Sequence, residues 1–176
     1  MGEHQIEINL AASLSQYTVD TAKIECLVKR ALDRLRLPLI EIGVGFVNGD
    51  EIRKLNREFR NKDKITDVLS FPQVDFEAPV LVGEPPAVEG GFAMPCQALG
   101  DIVISLEAAH GNAMDIGQGL DREVCFLLMH GILHLCGHDH QLPDEEASMI
   151  AQQNLLIESL DEEGGPPLWL KCVEVV

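Results

Sequence analysis

The 176-residue sequence predicts one domain that combines β-strands with amphipathic α-helices. Two patterns support this prediction. In several short segments apolar and polar residues alternate, which is typical of half-buried strands. Between these segments apolar residues recur every three or four positions, which is typical of one face of a helix. No apolar run is long enough to span a bilayer, so we expect no membrane partner.

The N-terminal part predicts a strand, a helix and a second strand. Apolar and polar side chains alternate over residues 4–10, which predicts the first strand. Asp20 can cap a helix that runs from residue 21 to about residue 37, where Pro38 would stop it. Alternation resumes over residues 40–46 and predicts the second strand.

The middle of the chain predicts a short helix over residues 51–59 and strands over residues 68–74 and 102–106. Between these two strands, residues 75–99 contain four prolines and three glycines. An unstructured connection of this length is uncommon inside a domain and is usually functional or mobile. We expect a flexible loop near the functional site, with disorder that serves no role as the alternative.

The C-terminal part predicts three helices. The first is short and covers residues 107–112, the second is apolar and is capped by Asp121, and the third begins at Pro143. The remaining residues are first acidic and then rich in glycine and proline. We therefore predict a single domain over residues 1–160, followed by a tail over residues 161–176.

The net charge of −16 argues against a nucleic-acid partner when it is taken alone. The charges are unevenly distributed, however, because residues 53–64 contain six of the 13 Lys and Arg residues and only two acidic ones. Exposed charges are screened beyond about 8 Å at physiological salt. This basic segment can therefore hold a phosphate, and Arg57, Lys62 and Lys64 are its candidate substrate-binding residues.

The cysteines indicate a reducing compartment. Five cysteines are scattered along the chain without a C-x-x-C motif, and the N-terminus lacks the basic and apolar regions of a signal peptide. We expect reduced thiols in a cytoplasmic protein.

A group of histidines near residue 135 predicts a metal site. His130 and His134 would lie about 40° apart around a helix and about 6 Å apart along it, so both imidazoles can reach one ion. Gly137 can end the helix in a left-handed conformation and let the chain turn back, which brings His140 to the same ion. Three imidazoles with a fourth position open to water are typical of catalytic zinc, so we predict one Zn²⁺ per chain.

The same histidine offsets occur in zinc peptidases with the motif H-E-x-x-H-x-x-G-x-x-H, which makes this helix zincin-like. In those enzymes the residue after the first histidine is the general base. Here that residue is Gly131, which cannot accept a proton. Peptide hydrolysis by that route is therefore disfavoured.

Several motifs together resemble one family. The segment from His130 to His140 resembles the signature H-G-x-L-H-L-x-G-Y-D-H of the YbeY family of bacterial and organellar endoribonucleases, with His138 where the family usually has tyrosine. Residues 60–72, with the pattern R-x-K-D-x-x-T-D-V-L-S-F-P, are similar to a second signature of the family. Residues 99–105, L-G-D-I-V-I-S, match its strand motif.

This resemblance implies an α+β domain in which a small, mostly mixed four-stranded sheet is flanked by helices, with zinc held by His130, His134 and His140. It also implies single-strand-specific hydrolysis of RNA in the maturation of the 3′ end of small-subunit ribosomal RNA and in ribosome quality control. The partners would be single-stranded ribosomal RNA and the ribosome or small-subunit proteins. The family's functionally important arginine carries over onto Arg60.

As a mechanistic hypothesis, Arg60 binds the phosphodiester and stabilises the extra negative charge of the transition state. A surface salt bridge is the alternative role for this arginine. Three candidates stay open for the general base: hydroxide on the metal, Asp139 and His138. Asp139 has the further alternative of orienting a ligand imidazole.

Two other functions compete with the nuclease. The first is a ribosome-assembly module that uses zinc only to brace its fold, and the second is a zinc metallopeptidase. The behaviour of histidine variants separates the first from the nuclease, since loss of a structural ion should unfold the chain. A protein digestion assay separates the second. The sequence makes no prediction of the oligomeric state.

Overall fold

The computed structural model describes residues 2–88, 91–92, 96–161 and 164–176. Within these residues the chain forms six strands and five helices. In chain order they are β1 (Gln5–Leu10), β2 (Tyr17–Val19), α1 (Thr21–Arg34), β3 (Ile40–Val47), α2 (Gly49–Arg60), β4 (Val68–Pro72), β5 (Gln97–Ser105), α3 (Leu106–Ile116), α4 (Leu120–Leu135), α5 (Pro143–Leu160) and β6 (Val173–Val175).

The main sheet has four strands in the order β1-β3-β5-β4. Strand β3 runs parallel to both β1 and β5, whereas β4 is antiparallel to β5. The sheet is therefore mixed, and the predicted fold class of a mixed four-stranded sheet with flanking helices is confirmed. Strand β4 lies at one edge, which leaves its outer side open to the functional site described below.

Helix α4 is the central helix of the domain, and it packs against β4, β5, α3 and α5. It is apolar nearly all round, and Val124, Leu128 and Ile132 are completely buried. Gly131 lies against the sheet, where an added Cβ atom would stand 2.8 Å from Cγ2 of Ile102. The missing side chain lets the helix approach β5 closely, so the last turns of α4 are fixed relative to the sheet.

The N-terminal elements follow the sequence prediction with shifted ends. Asp20 caps α1, because its carboxylate accepts a hydrogen bond from the backbone N–H of Lys23 at 3.1 Å. The helix ends at Arg34 and not near residue 37, since Arg36 adopts a left-handed φ of 52°. The predicted effect of Pro38 therefore begins earlier, because a proline also disfavours the helical conformation in the residue before it.

Helix α2 is longer than predicted because both of its ends are capped. The side chain of Asn48 accepts from the backbone N–H of Glu51, whose carboxylate accepts in return from the backbone N–H of Asn48. This capping box begins the helix at Gly49 rather than at residue 51. Asn61, with a left-handed φ of 58°, ends it after Arg60.

Four predicted boundaries in the second half were wrong. Strand β4 ends at Pro72 and not at residue 74, whereas β5 begins at Gln97, inside the segment that was predicted to be a loop. Helix α3 continues to Ile116, where Gly117 ends it with a φ of 72°. Asp121 does not cap α4, because Gly119 occupies that position and the Asp121 carboxylate accepts from the backbone N–H of Lys171 instead.

The segment before β5 is packed onto the domain over its described part. Val80 is buried, and its backbone N–H donates to the carbonyl of Cys136 at 3.1 Å. The backbone N–H of Val82 donates to the side chain of Gln152 at 2.8 Å. Residues 89–90 and 93–95 of the predicted flexible loop lie outside the described residues.

The C-terminal segment returns to the domain. Strand β6 pairs antiparallel with β2, and Cys172 and Val173 are buried beside the start of α4. Neither of these two short strands was predicted. Residues 162–163 of the predicted tail lie outside the described residues, and the division of the chain at residue 160 stays a prediction.

The five cysteines are free thiols, as their scattered positions predicted: Cys26, Cys96, Cys125, Cys136 and Cys172. None of the helices in the described part of the chain combines the length and the apolar character that crossing a membrane requires.

Candidate metal centre

The structure brings together three histidines at the C-terminal end of α4. His130 and His134 lie on the last turns of the helix, and His140 lies in the segment that follows it. One ring nitrogen from each lies within 4.8 Å of the other two. The Nε2 atoms of His130 and His134 are 3.1 Å apart. A single ion can therefore contact all three imidazoles.

The turn that delivers His140 is set by Gly137. This residue has a φ of 91°, which a residue with a side chain rarely adopts. Around it the backbone N–H of His138 donates to the carbonyl of Leu133, and the N–H of Gly137 donates to the carbonyl of His134. These two bonds form a Schellman motif. The predicted end of the helix at this glycine is thus confirmed, and the chain turns back toward the helix axis.

The hydrogen bonds of His134 leave one nitrogen available for a metal. Its Nδ1 lies 2.9 Å from the backbone carbonyl of His138. A carbonyl only accepts, so Nδ1 carries the proton and Nε2 of the neutral ring carries a lone pair. That lone pair points toward Nε2 of His130. Two converging nitrogen lone pairs match the donor set that Zn²⁺ and similar ions bind.

Burial keeps the two helical imidazoles neutral. Desolvation, together with the neighbouring His130 and His140, lowers the pKa of His134 to about 4. Desolvation also lowers the pKa of His130. Both rings are therefore unprotonated at neutral pH, and protons compete only weakly with a metal ion for their nitrogen atoms.

The three histidines line a cavity of about 810 Å³. Basic residues predicted from the sequence line the same cavity: Arg60, Lys62 and Lys64. Helix α2 and the segment after it carry these residues, whereas α4 and the turn after it carry the histidines. The cavity thus contains both cationic groups and a group of nitrogens that could bind a metal, which suits a phosphodiester substrate.

Arg60 is held at the edge strand of the sheet. Its Nη2 donates to the backbone carbonyl of Ser70, and its guanidinium carbon lies 5.8 Å from the centre of the Phe71 ring. These contacts are made with β4, and no ion pair of Arg60 is found among the described residues. The geometry therefore favours the predicted role in the cavity over a surface salt bridge.

Arg57 differs from the other predicted substrate-binding residues. It lies outside the cavity lining, and its Nη1 is 3.8 Å from a carboxylate oxygen of Asp63. The same carboxylate also accepts from Arg53 at 2.9 Å. The positive charge of Arg57 is thus partly neutralised by Asp63, outside the lining of the cavity that the histidines share.

The two side-chain candidates for the general base occupy different environments. Asp139 lines the cavity, and one of its carboxylate oxygens accepts from the backbone N–H of His140 at 2.8 Å. His138 is 4% exposed, and its Nε2 bonds to the backbone carbonyl of Val80 at 2.7 Å. Both residues line the cavity, but the His138 ring is buried and bonded to the segment before β5, whereas Asp139 is partly exposed.

Gly131 occupies a position from which a base could not act. An added side chain would meet Ile102 of β5, so the direction of the missing Cβ is toward the sheet. The glutamate of a zincin peptidase would have to reach the metal from this position. The packing of α4 therefore gives a second reason against peptidase chemistry.

The sequence did not predict a polar network at the rim of the cavity. Asp67 lines the cavity and accepts from Nδ2 of Asn112 at 3.0 Å. Asn112 also lies 3.3 Å from the buried carboxylate of Glu123, which accepts from Gln118 at 2.6 Å. These residues come from four separate segments, so no local spacing could have indicated the network.

Comparisons with known proteins agree on one family. A family model described as Endoribonuclease YbeY matches residues 9–161. The endoribonuclease YbeY of Thermoanaerobacter sp. (strain X514) is 39% identical over 147 residues, which cover 81% of this chain and 91% of the relative. That of Caldanaerobacter subterraneus subsp. tengcongensis is 37% identical over 158 residues, covering 87% of this chain and 98% of the relative.

One solved structure shares the fold. The solution structure of TM1509 from Thermotoga maritima matches with a TM-score of 0.55 and 23% sequence identity. The match covers 92% of this chain and 99% of that chain. It therefore extends the likeness from sequence to architecture.

Proposed function

This chain belongs to the YbeY endoribonuclease family, and on that premise we propose that it hydrolyses single-stranded RNA with one Zn²⁺ ion held by His130, His134 and His140. The observation that carries the proposal is the convergence of three imidazole nitrogens within 4.8 Å of one another, in a cavity that Arg60 also lines. When bound, such an ion supplies Lewis acidity toward a phosphoryl oxygen and lowers the pKa of water toward about 7.

In this proposal the cationic residues bind and orient the substrate. Lys62 and Lys64 attract the phosphates that flank the scissile bond, while Arg60 binds the reacting phosphodiester through its planar guanidinium. The bond from Arg60 to the carbonyl of Ser70 limits the movement of the guanidinium. The charge that develops on phosphorus-bound oxygen therefore meets a donor that is already in place.

We assign the proton transfer to Asp139. One oxygen of this carboxylate accepts from the backbone of His140, which leaves the other free to accept a proton from the attacking water. His138 suits this role less well, because burial lowers its pKa and its Nε2 is bonded to Val80. The water oxygen bonds to phosphorus as its proton passes to the carboxylate, the bond from phosphorus to a ribose oxygen breaks, and that oxygen leaves as a hydroxyl after taking up the proton.

The cellular role follows from the family resemblance. We propose that the substrate is the 3′ end of small-subunit ribosomal RNA and that the enzyme also acts in ribosome quality control. The reaction would take place in the cytoplasm with the ribosome or small-subunit proteins as partners. The acidic remainder of the chain agrees with a substrate that is brought close by a larger assembly rather than by long-range attraction.

The test is a cleavage assay on one labelled RNA presented either as a single strand or annealed to its complement. We expect cleavage of the single strand only, loss of cleavage after chelation, and recovery on addition of Zn²⁺. His134→Ala should abolish cleavage, whereas His110→Ala provides a matched control because His110 on α3 lies outside the cavity lining. Full activity of the chelated protein would overturn the proposal.

Circular dichroism of the same variants tests the zinc-braced assembly module. The hydrophobic core around α4 consists of buried side chains other than the three histidines. We therefore expect His134→Ala to stay folded while it loses metal. Unfolding of this variant together with inactivity of the metal-loaded wild type would favour the structural role of zinc.

A further inference from the structure

A second cavity lies beside the one that the histidines line. Its volume is about 680 Å³, which is within the range of sites that hold small organic molecules. Residues of α3, α4 and α5 line it, together with Asp67 and Trp169. None of the three histidines belongs to its lining, so it is a separate space with a different chemical character.

The two cavities are neighbours. Asp67 belongs to the lining of both. Phe126 lines the second cavity and lies four residues before His130, so the two side chains are adjacent on the surface of α4. Their rings are nearly parallel, with an angle of 17° between the planes and 6.4 Å between the centres. A strand of RNA with one phosphate at the histidines therefore has a neighbouring nucleotide close to the second cavity.

Phe126 provides this cavity with an accessible aromatic surface. The residue is 41% exposed, although the residues on either side of it, Cys125 and Leu127, are buried. Its backbone is held in place, because its carbonyl accepts a hydrogen bond from Nε2 of Gln153 at 3.1 Å. An exposed ring on a fixed backbone is the kind of surface on which proteins stack the bases of single-stranded nucleic acids.

The polar groups of the cavity present acceptors. Nδ2 of Asn112 donates to Asp67 at 3.0 Å and lies 3.3 Å from Glu123. Nε2 of Gln118 donates to Glu123 at 2.6 Å. Since both amide nitrogens are used, the amide oxygens of Asn112 and Gln118 are left as acceptors, and no described residue donates to them. Acceptors of this kind suit the amino and ring N–H groups of a nucleobase.

The charges of the cavity distinguish between the parts of a nucleotide. Four carboxylates belong to the lining: Asp67, Asp115, Glu123 and Glu158. They repel a phosphate but not an uncharged base. Arg122 also belongs to the lining, is exposed, and lies one helical turn before Phe126. No ion pair of Arg122 is found among the described residues, so its guanidinium is available to a phosphate outside the cavity.

We propose that the second cavity binds one unpaired nucleobase of the RNA, stacked on Phe126, next to the phosphodiester that is cut. A base in a duplex has to leave its stack and its partner before it can enter such a site. The cavity therefore makes binding selective for single strands. This inference rests on the proposed function, because it assigns a further part of the same substrate. A basic peptide is the competing occupant, since carboxylates and an aromatic ring also suit arginine.

The first test measures the affinity of the chelated protein for a short single-stranded RNA and for copies in which one nucleotide at a time lacks its base. We expect removal of the base at one position to weaken binding about 5- to 100-fold, as loss of one stacked base does. Phe126→Leu should bind the intact RNA more weakly by the same factor, and removal of that base should then have no further effect. Phe126→Tyr keeps the ring and should bind like the wild type.

Three controls separate base stacking from other effects of the substitution. Leu155→Ala should bind the intact RNA like the wild type, since Leu155 is 49% exposed on α5 and lines neither cavity. The affinity for an RNA duplex should be the same in the wild type and in Phe126→Leu. Zn²⁺ affinity should also be unchanged in Phe126→Leu, because the variant keeps all three histidines.

The second test follows the cavity directly by fluorescence. Trp169 is the single tryptophan of the chain and belongs to the lining of this cavity. The intact RNA should quench its emission, whereas the RNA that lacks the critical base should not. An arginine-rich peptide should leave the emission unchanged. Quenching by the peptide and not by the RNA would assign the cavity to a basic protein partner and overturn the inference.

Equal affinity of the wild type and Phe126→Leu for the intact RNA would also overturn it, as would independent effects of the variant and of every missing base. Failure of the proposed function gives a different result. An RNA that binds with the expected pattern, but is not cleaved by the protein loaded with Zn²⁺, would remove the hydrolysis and leave the base site in place.

Discussion

Arg60 is the residue whose contacts most directly suggest a role in the reaction. Its guanidinium bonds to Ser70 and lies over Phe71, so it is oriented before substrate arrives. We expect Arg60→Ala to lower the single-turnover rate of RNA cleavage by about 100-fold, as loss of one preorganised donor does. Bound Zn²⁺ should not change, because Arg60 is not among the three histidines that could hold the ion.

Two further variants sharpen this prediction. Arg60→Lys should recover only part of the rate, because an ammonium group lacks the planar, bidentate geometry of a guanidinium. Arg53→Ala is a matched control, since Arg53 is paired with Asp63 and lies outside the cavity lining. A normal rate in Arg60→Ala, with His134→Ala inactive, would contradict the role of the arginine.

The lowered pKa of His134 predicts how the stability of the metal-free protein depends on pH. In the unfolded chain this imidazole titrates near its ordinary value of 6.5, whereas burial lowers the pKa to about 4 in the folded state. Between these values the unfolded chain binds more protons than the folded one. With respect to His134, the free energy of unfolding is therefore at its maximum above about pH 6.5, and it decreases as the pH drops toward 4.

Urea unfolding of the chelated protein, measured at one pH within this window and one above it, tests whether the free energy of unfolding decreases on acidification. The loss of stability on acidification should be smaller in His134→Gln, because the variant lacks one of the groups that resist protonation. The lowered pKa values of His130 and His138 leave a residual dependence of the same sign. An identical loss in wild type and variant would show that His134 titrates normally.

At the level of residues, the sequence predicted what depends on local spacing. The offsets between His130, His134 and His140 are a property of one helix and the turn after it, so the structure gathers the residues that the spacing indicated. Gln153 was counted only as part of the apolar face of its helix. Its hydrogen bond to the backbone carbonyl of Phe126 joins two helices, and a contact of that kind has no periodic signature in the sequence.

Among the elements, α4 depends on the glycine that lets it approach the sheet. Alanine normally stabilises a helix interior relative to glycine by about 0.5–1 kcal/mol. At Gly131 the added methyl group would meet three side-chain atoms of Ile102 at 2.8–3.1 Å. We expect Gly131→Ala to lower the free energy of unfolding by about 1–3 kcal/mol, the usual cost of overpacking.

Gly111 of α3 is the matched control, because no described atom lies within 4 Å of an added Cβ there. Gly111→Ala should therefore stabilise the protein by about 0.5–1 kcal/mol. If close packing against Ile102 determines the effect, denaturant unfolding should show changes of opposite sign in the free energy of unfolding of the two variants. In an Ile102→Ala background the cost of Gly131→Ala should largely disappear. Equal stabilisation by both alanines would contradict this account.

At the level of elements, prediction succeeded where a long periodic pattern or a strong cap was present. Helix α1 is capped by Asp20 as its sequence indicated, and α5 begins at Pro143. Strands β2 and β6 contain three residues each, which is too short for alternation to be recognised, and they become strands by pairing with each other. Asp121 resembled a cap but bonds to Lys171 from a distant part of the chain.

For the molecule as a whole, the distribution of charge determines how RNA binding responds to salt. The chain carries a net charge of −16, yet Lys62 and Lys64 line the cavity. Each lysine that neutralises a phosphate of a single strand contributes about 0.7 to the slope of log affinity against log salt. We expect Lys62→Ala and Lys64→Ala each to reduce the slope by about that amount.

Binding titrations over a range of salt concentrations should use a catalytically inactive background such as His134→Ala. Arg57→Ala serves as the comparison, because Arg57 lies outside the cavity lining and is close to Asp63. We expect its slope to match that of the background. A reduction by Arg57→Ala as large as that of the two lysine variants would place the RNA along α2 instead of in the cavity.

The two hydrogen bonds that join Val80 to the end of α4 link distant parts of the molecule energetically. The backbone of Val80 donates to Cys136, and its carbonyl is bonded to the ring of His138, two residues before His140. Thermodynamic linkage is reciprocal. If this segment helps to hold the histidines in place, ion binding at the histidines also stabilises the packing of this segment. An ion held by the histidines would therefore also stabilise the packing of Val80 against the end of α4.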